Sequence, residues 1–181
     1  MIMDRRHVIA GIGSVGLAGL TWRSGTAAGT HIAGFAPEPW FAKSSMDLSK
    51  DLAAAAASGK YLALLWEQKG CHYCSELHAV NFQDADIVGL GKKHFHTIQM
   101  DLWGDREFMD LDGEKRSEKT IARGRFVRGT PVMLFFDAKG TEVFRMPGYA
   151  PPPLLLAVYQ YVIEKGYEKG SLRKWIEAQQ S

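Results

Sequence analysis

Residues 61–66 form an unbroken apolar and aromatic run, Tyr-Leu-Ala-Leu-Leu-Trp, bounded by Lys60 before it and by Glu67 to Gly70 after it. Its length suits a strand, and its lack of alternation suits a strand buried on both faces. Such a strand needs strands beside it and helices over both faces, which places the chain in the α/β class. The flanking segments agree. Residues 47–57 are an alanine-rich helix stopped by Ser58-Gly59. After Gly70, residues 71–78 suit a helix with Cys71 at its N-terminal end, and Asp84 caps a short helix over 84–92. Residues 95–101 are the next strand, and 132–137 with 142–146 form a hairpin around Ala138-Lys139-Gly140. Residues 117–125 suit a helix opened by a capping box at Ser117, with Glu118 and Thr120 close behind. A core helix over 154–165 follows three prolines, and a small helix over 172–179 ends the chain. The expected architecture is a central mixed sheet flanked by helices, joining parallel crossovers to one antiparallel hairpin.

The polar stretch 102–116 reads as a charged surface insertion outside the core. Its acidic residues, Asp105, Asp110 and Asp112 before Gly113, together with Asp101, do not fit the calcium loop of an EF-hand, which needs alternate ligands and a distal glutamate.

The beginning of the chain indicates export. Asp4-Arg5-Arg6-His7 leads into an apolar run from Val8 to Leu20 and then Ser24-Gly25-Thr26-Ala27-Ala28, the order of a signal peptide. The apolar run has thirteen residues, four of them glycine. As a helix it spans only about 20 Å against roughly 30 Å of hydrocarbon, so no lasting membrane anchor is expected. The paired arginines resemble twin-arginine signals. Residues 1–28 are therefore expected to be a leader, 29–46 an N-terminal coil and 47–181 the folded domain, in a periplasm if the source is Gram-negative. Of the 22 basic and 20 acidic residues, Arg5, Arg6, Arg23 and Asp4 lie in the leader, so the remainder is electrically balanced. A balanced domain offers no basic surface for nucleic acid.

The only two cysteines, Cys71 and Cys74, stand in one Cys-x-x-Cys motif. A disulfide across so short a loop stabilises by only about 2 kcal/mol on the chain-entropy model, so a structural purpose is weakly motivated. Zinc would want two further ligands, with His72 and His78 the nearest, and Ser75 stands where covalent haem attachment requires histidine. Redox chemistry fits best: a buried strand delivers Cys71 to a helix N-terminus, where the macrodipole stabilises a thiolate and lowers the thiol pKa, with Cys74 one turn inside.

Strand, Cys71-x-x-Cys74, helix, and then Gly129-Thr130-Pro131-Val132 ahead of a hairpin together resemble the thioredoxin family over residues 47–165. The resemblance implies the thioredoxin fold, with a polar insertion before the helix that precedes the Thr-Pro loop. It further implies that Pro131 is cis beside the cysteines, that the Thr130 backbone is free to pair with a substrate strand, and that Gly148 lets a partner come near. Residues 66–74, 104–107 and 143–149 resemble more narrowly the periplasmic SoxW-type thioredoxin-like proteins of sulfur-oxidation clusters. Two departures are plain. Leu65 stands where ordinary thioredoxins carry a buried aspartate, and Gly70-Cys71-His72-Tyr73-Cys74 replaces Trp-Cys-Gly-Pro-Cys, so no redox potential carries over.

The expected function is that of an exported thiol-disulfide oxidoreductase with no cofactor beyond the Cys71–Cys74 disulfide. Cys71 is the expected nucleophile and Cys74 the resolving thiol. His72 either tunes the Cys71 thiolate or faces solvent. Glu67 either shuttles the Cys74 proton or is a solvated strand-end carboxylate. Tyr73 and Trp66 either shape a docking surface or pack, and His78 is read as structural. The expected partners are protein disulfides or dithiols, and the resemblance adds re-reduction by a membrane electron carrier of the DsbD or CcdA kind. The alternatives are a copper- or zinc-handling protein using the same pair with His72 or His78, and a non-catalytic binding module.

Overall fold

The computed structural model describes residues 31–180, so the expected leader lies outside the described residues. Helix α1 (Leu48–Ala57) is capped by Asp47, whose carboxylate accepts from the Lys50 N–H. It leads through Gly59 into strand β1 (Tyr61–Glu67), in which every residue after Tyr61 is buried. Helix α2 (His72–Ala79), a 3₁₀ turn at Asn81–Gln83 and helix α3 (Ala85–His94) carry the chain back to strand β2 (Phe95–Asp101), which lies parallel to β1 with Tyr61 opposite Phe95 and Glu67 opposite Asp101. Asp84 caps α3 by accepting from the Asp86 and Ile87 N–H groups. The hairpin strands β5 (Val132–Phe136) and β6 (Glu142–Pro147) complete a sheet of order β2-β1-β5-β6, β5 running antiparallel to β1 with Val132 opposite Trp66. Helices α5 (Pro152–Ile163) and α6 (Leu172–Gln179) close the chain.

Because side chains alternate along a strand, β1 feeds two cores. Leu62, Leu64 and Trp66 join Leu48, Ile98 and Ile121 on one face; Ala63 and Leu65 join Leu77 of α2, Ile87 of α3 and Leu155 of α5 on the other. Trp66 is therefore a core residue with no exposed surface and takes no part in docking. By the same alternation Glu67 belongs to the α2 face.

Three expectations are corrected. The stretch 102–116 is not an insertion outside the core: it folds into a two-stranded hairpin, β3 (Glu107–Met109) with β4 (Lys115–Ser117), and inserts the fully buried Phe108 among the side chains of the first core. A lone phenylalanine in a charged stretch gives no periodicity to read, which is why the sequence concealed it. Its aspartates are spent on ion pairs: Asp110 with Arg116 and Arg125, Asp112 with Arg116, and Asp105 with Lys119. Second, Ser117 stands at the N-cap of α4 (Glu118–Gly124), but its hydroxyl meets Thr120 Oγ1 at 2.9 Å and caps no N–H. Glu118 turns inward instead of completing a capping box. Its buried carboxylate accepts from the Asp101 N–H at 2.8 Å and from Arg106 Nε at 2.9 Å, and it fills the space where a side chain on Gly104 would stand. Third, α5 begins among the prolines rather than after them, since prolines in the first turn of a helix remove no hydrogen bond the helix would make.

The segment 31–46 is more than a lead-in. The Ala42 N–H donates to the Thr97 carbonyl of the edge strand β2 at 2.8 Å, and Trp40 and Phe41 pack on the second core.

Candidate functional site

Cys71 is the N-cap of α2, in extended conformation, and its sulfur accepts from the Cys74 N–H at 3.1 Å. The two sulfurs are joined in a disulfide across one helical turn. Their accessibility differs: Cys71 keeps 8% of its surface and Cys74 none. What exposure the pair has thus belongs to Cys71, and the helix N-terminus favours negative charge there.

The expected neighbours fall into two groups. Tyr73, 56% exposed, stacks on Tyr149 with ring centroids 5.7 Å apart, so the first turn of α2 touches the loop after β6. Val132 lies opposite Trp66, which brings Thr130 and Pro131 to the end of the sheet from which β1 runs on to Cys71. The Thr130–Pro131 peptide bond is cis. Among the described residues neither the N–H nor the carbonyl of Thr130 makes a hydrogen bond, so both are available to an extended partner chain. Gly148 donates its N–H to the Pro131 carbonyl at 2.8 Å with φ of 80°, a conformation natural to glycine, and open space surrounds its Cα. His72, by contrast, points outward: its side chain is 79% exposed, and its nearest charge is Glu76 at 4.0 Å.

Glu67 is not a solvated strand-end carboxylate. It is fully buried, accepts from Gln99 Nε2 at 2.6 Å, and lies 3.0 and 3.2 Å from His78 Nε2 through its two oxygens. His78 stands one turn after Cys74 on α2, and its Nδ1 reaches Glu38 of the N-terminal segment at 2.7 Å. The Phe35 ring stacks on the imidazole at 5.1 Å. Burial is the strongest single influence on His78 and disfavours its charge. The hydrogen bonds and charges of Glu67 and then Glu38 together outweigh it, so His78 titrates above its ordinary value. The expected structural role of His78 gains two named partners, Glu67 and Glu38; its i, i+4 spacing from Cys74 was visible in the sequence, whereas Glu38, forty residues from His78, offered no signal.

Leu65, where ordinary thioredoxins have their acid, and Glu67 share one face of β1. Glu67 thus places a buried carboxylate two residues beyond Leu65 on that face, where it meets a histidine.

A family model described as a thioredoxin-like domain matches residues 48–163, well over half of the chain. The chain belongs to the thioredoxin-like family. Among solved structures, this thioredoxin-like chain is similar to a thioredoxin-fold protein from Helicobacter pylori, with 22% identity and a TM-score of 0.59, over 72% of this chain and 90% of that one. It is also similar to a thioredoxin from Thermus thermophilus, with 24% identity and a TM-score of 0.51, over 65% of this chain and 84% of that one. At these identities the likeness is one of fold. No match was found among curated protein sequences.

Within the described part of this thioredoxin-like chain no three His, Cys, Asp or Glu side chains are gathered as a metal set. The two histidines nearest the cysteines are directed elsewhere, His72 to solvent and His78 between two carboxylates. What the arrangement can do is exchange two electrons between a dithiol and a disulfide.

Proposed function

We propose that this protein is an exported thiol-disulfide oxidoreductase that reduces disulfides of partner proteins. The observation that carries the reading is the unequal pair at the start of α2, a Cys71 that keeps 8% of its surface bonded to a wholly enclosed Cys74. In the reduced protein the Cys71 thiolate attacks one sulfur of a partner disulfide, a bond forms between them, and the partner's other sulfur leaves as a thiolate. Cys74 then loses its proton and attacks the Cys71 sulfur. The mixed disulfide breaks, the partner departs with both thiols, and the Cys71–Cys74 disulfide is restored. Two electrons have passed to the partner.

The partner chain pairs with the free Thr130 backbone beside Pro131, with Tyr73 and Gly148 flanking it. Glu67 accepts the Cys74 proton. Asp51, Glu67, Asp110 and Glu118 are the buried acids among the described residues, and of these Glu67 alone bonds to α2. His72, beside Cys71, tunes the thiolate when protonated.

The oxidised pair is returned to the dithiol by a membrane carrier of the DsbD or CcdA kind, in a periplasmic pathway related to sulfur oxidation. The leader-like residues 1–28 and the likeness of residues 66–74, 104–107 and 143–149 to SoxW-type proteins support that setting. No helix of the described residues is long and apolar enough to cross a membrane.

The test is trapping. A Cys74→Ser variant exposed to a periplasmic extract should accumulate partners bound through Cys71, released by dithiothreitol; the absence of any thiol-reversible adduct would reject the assignment.

A further inference from the structure

In the reaction just proposed, Cys74 must lose a proton each time it resolves a mixed disulfide, yet it has no exposed surface. Glu67 is equally enclosed, so a proton passed to it has still not reached solvent. Both oxygens of Glu67 lie within hydrogen-bond distance of His78 Nε2, and Nδ1 on the other side of the ring meets Glu38. Glu38 lines a cleft of about 630 Å³ between the N-terminal segment and β2, open to solvent and bordered also by Pro37, Phe41, Gln99 and Arg106. An imidazole takes a proton on one nitrogen and releases one from the other, which suits a ring clamped between two carboxylates.

We propose that Glu67, His78 and Glu38 form the proton path from the buried resolving thiol to the surface, and that the N-terminal segment is thereby part of the redox site. The proposal rests on the thiol-disulfide reading and extends it. On resolution, the Cys74 proton passes to Glu67, from Glu67 to His78 Nε2, and a proton leaves His78 Nδ1 through Glu38 to water; on re-reduction the steps run in reverse. No bond other than N–H, O–H and S–H changes along the path.

The surroundings isolate His78 for this purpose. The groups packed against it are the rings of Phe35, Phe41 and Phe82, and the charges facing it are Glu67 from β1 and Glu38 from the N-terminal segment. Arg106 and Lys43 border the cleft beyond Glu38, and Arg106 is held by Glu118. Gln99 fixes the Glu67 carboxylate but cannot itself carry charge.

The experiment measures the two half-reactions of the full chain separately. The reduced protein is mixed with an excess of a small peptide disulfide, and formation and decay of the mixed disulfide are followed by acid quenching from about pH 5 to about pH 9. While His78 is protonated its Nε2 cannot take a proton from Glu67, so decay should quicken as His78 loses its charge, with a midpoint above 6.5. Glu38→Gln keeps the shape of the side chain and removes its charge, and should shift that midpoint downward. His78→Gln should abolish the step and slow decay at least about tenfold. A midpoint unmoved by Glu38→Gln, or a uniform change of rate at every pH, would overturn the proton path, and should His78→Gln fail to fold, the Glu38→Gln profile decides alone. Formation of the mixed disulfide is read in the same samples: its absence in the unsubstituted protein would reject the thiol-disulfide reading itself, whereas normal formation with an unmoved decay profile would reject the path alone.

Discussion

His78 Nε2 lies 3.0 Å from Glu67 Oε1, joining the second turn of the redox helix to the last residue of the central strand in a place where the carboxylate has no contact with solvent. Buried charge is tolerated only when paired, and without His78 the enclosed Glu67 carboxylate has no cation beside it. His78→Leu should destabilise the oxidised protein by about 3–5 kcal/mol in urea denaturation, because Glu67 is left with Gln99 alone. The double change Glu67→Leu with His78→Leu should cost less than His78→Leu by itself. A double variant as unstable as the sum of the two single ones would show that the pair is not coupled.

The same contact makes stability depend on pH. His78 titrates above 6.5 in the folded protein, so its contribution is complete below about 6.5, the unfolded value, and is lost as pH rises through the folded value. His94 and His96 are shifted downward, burial being the main cause, and act in the opposite sense on acidification. The measurement is therefore the difference in denaturation midpoint between the unsubstituted protein and His78→Gln. That difference should shrink between about pH 6 and about pH 9; a constant difference would contradict the assignment.

Turnover should divide cleanly between the cysteines. Cys71→Ser should lose dithiothreitol-driven disulfide reduction altogether, whereas Cys74→Ser, reduced and then freed of dithiothreitol, should still form mixed disulfides and fail to release them, as read by non-reducing electrophoresis. Equal turnover in Cys71→Ser and the unsubstituted protein would remove the nucleophile from its place.

The β3–β4 hairpin should prove structural. Phe108 has no exposed surface, and Phe108→Ala should cost about 3–5 kcal/mol in denaturation. Gly104→Ala should also destabilise, since its methyl group would meet the Glu118 carboxylate that Arg106 and the Asp101 N–H hold in place. A Phe108→Ala variant with unchanged midpoint would return the hairpin to the surface.

How much of this was legible in the chain depended on whether the signal was local. The run at 61–66, the cap at Asp84 and the turn at Gly140 are set by neighbours in sequence, and strand, helix and hairpin followed from them. Cys71 and Cys74 were legible for the same reason, lying within one turn. Phe108 was not, because what buries it is the packing of distant Leu48 and Ile121. Glu118 suggests part of a capping box because it stands just after Ser117, while its partner Arg106 stands twelve residues away across the hairpin. Glu67 could be placed at the end of a strand but not inside the protein, since its burial depends on Gln99, thirty-two residues on, and on His78.

The bond from the Ala42 N–H to the Thr97 carbonyl has a practical consequence for anyone preparing this protein. Strand β2 is an outer strand of the sheet, and Ala42 of the N-terminal segment bonds to its middle. Truncation at residue 47, which the family boundaries at 48–163 would invite, keeps both cysteines yet removes that bond and leaves the outer edge of β2 more open, the kind of surface along which separate molecules join edge to edge. The shortened chain would be prone to self-association, and it would be a poor substitute for the whole protein in any assay of redox chemistry.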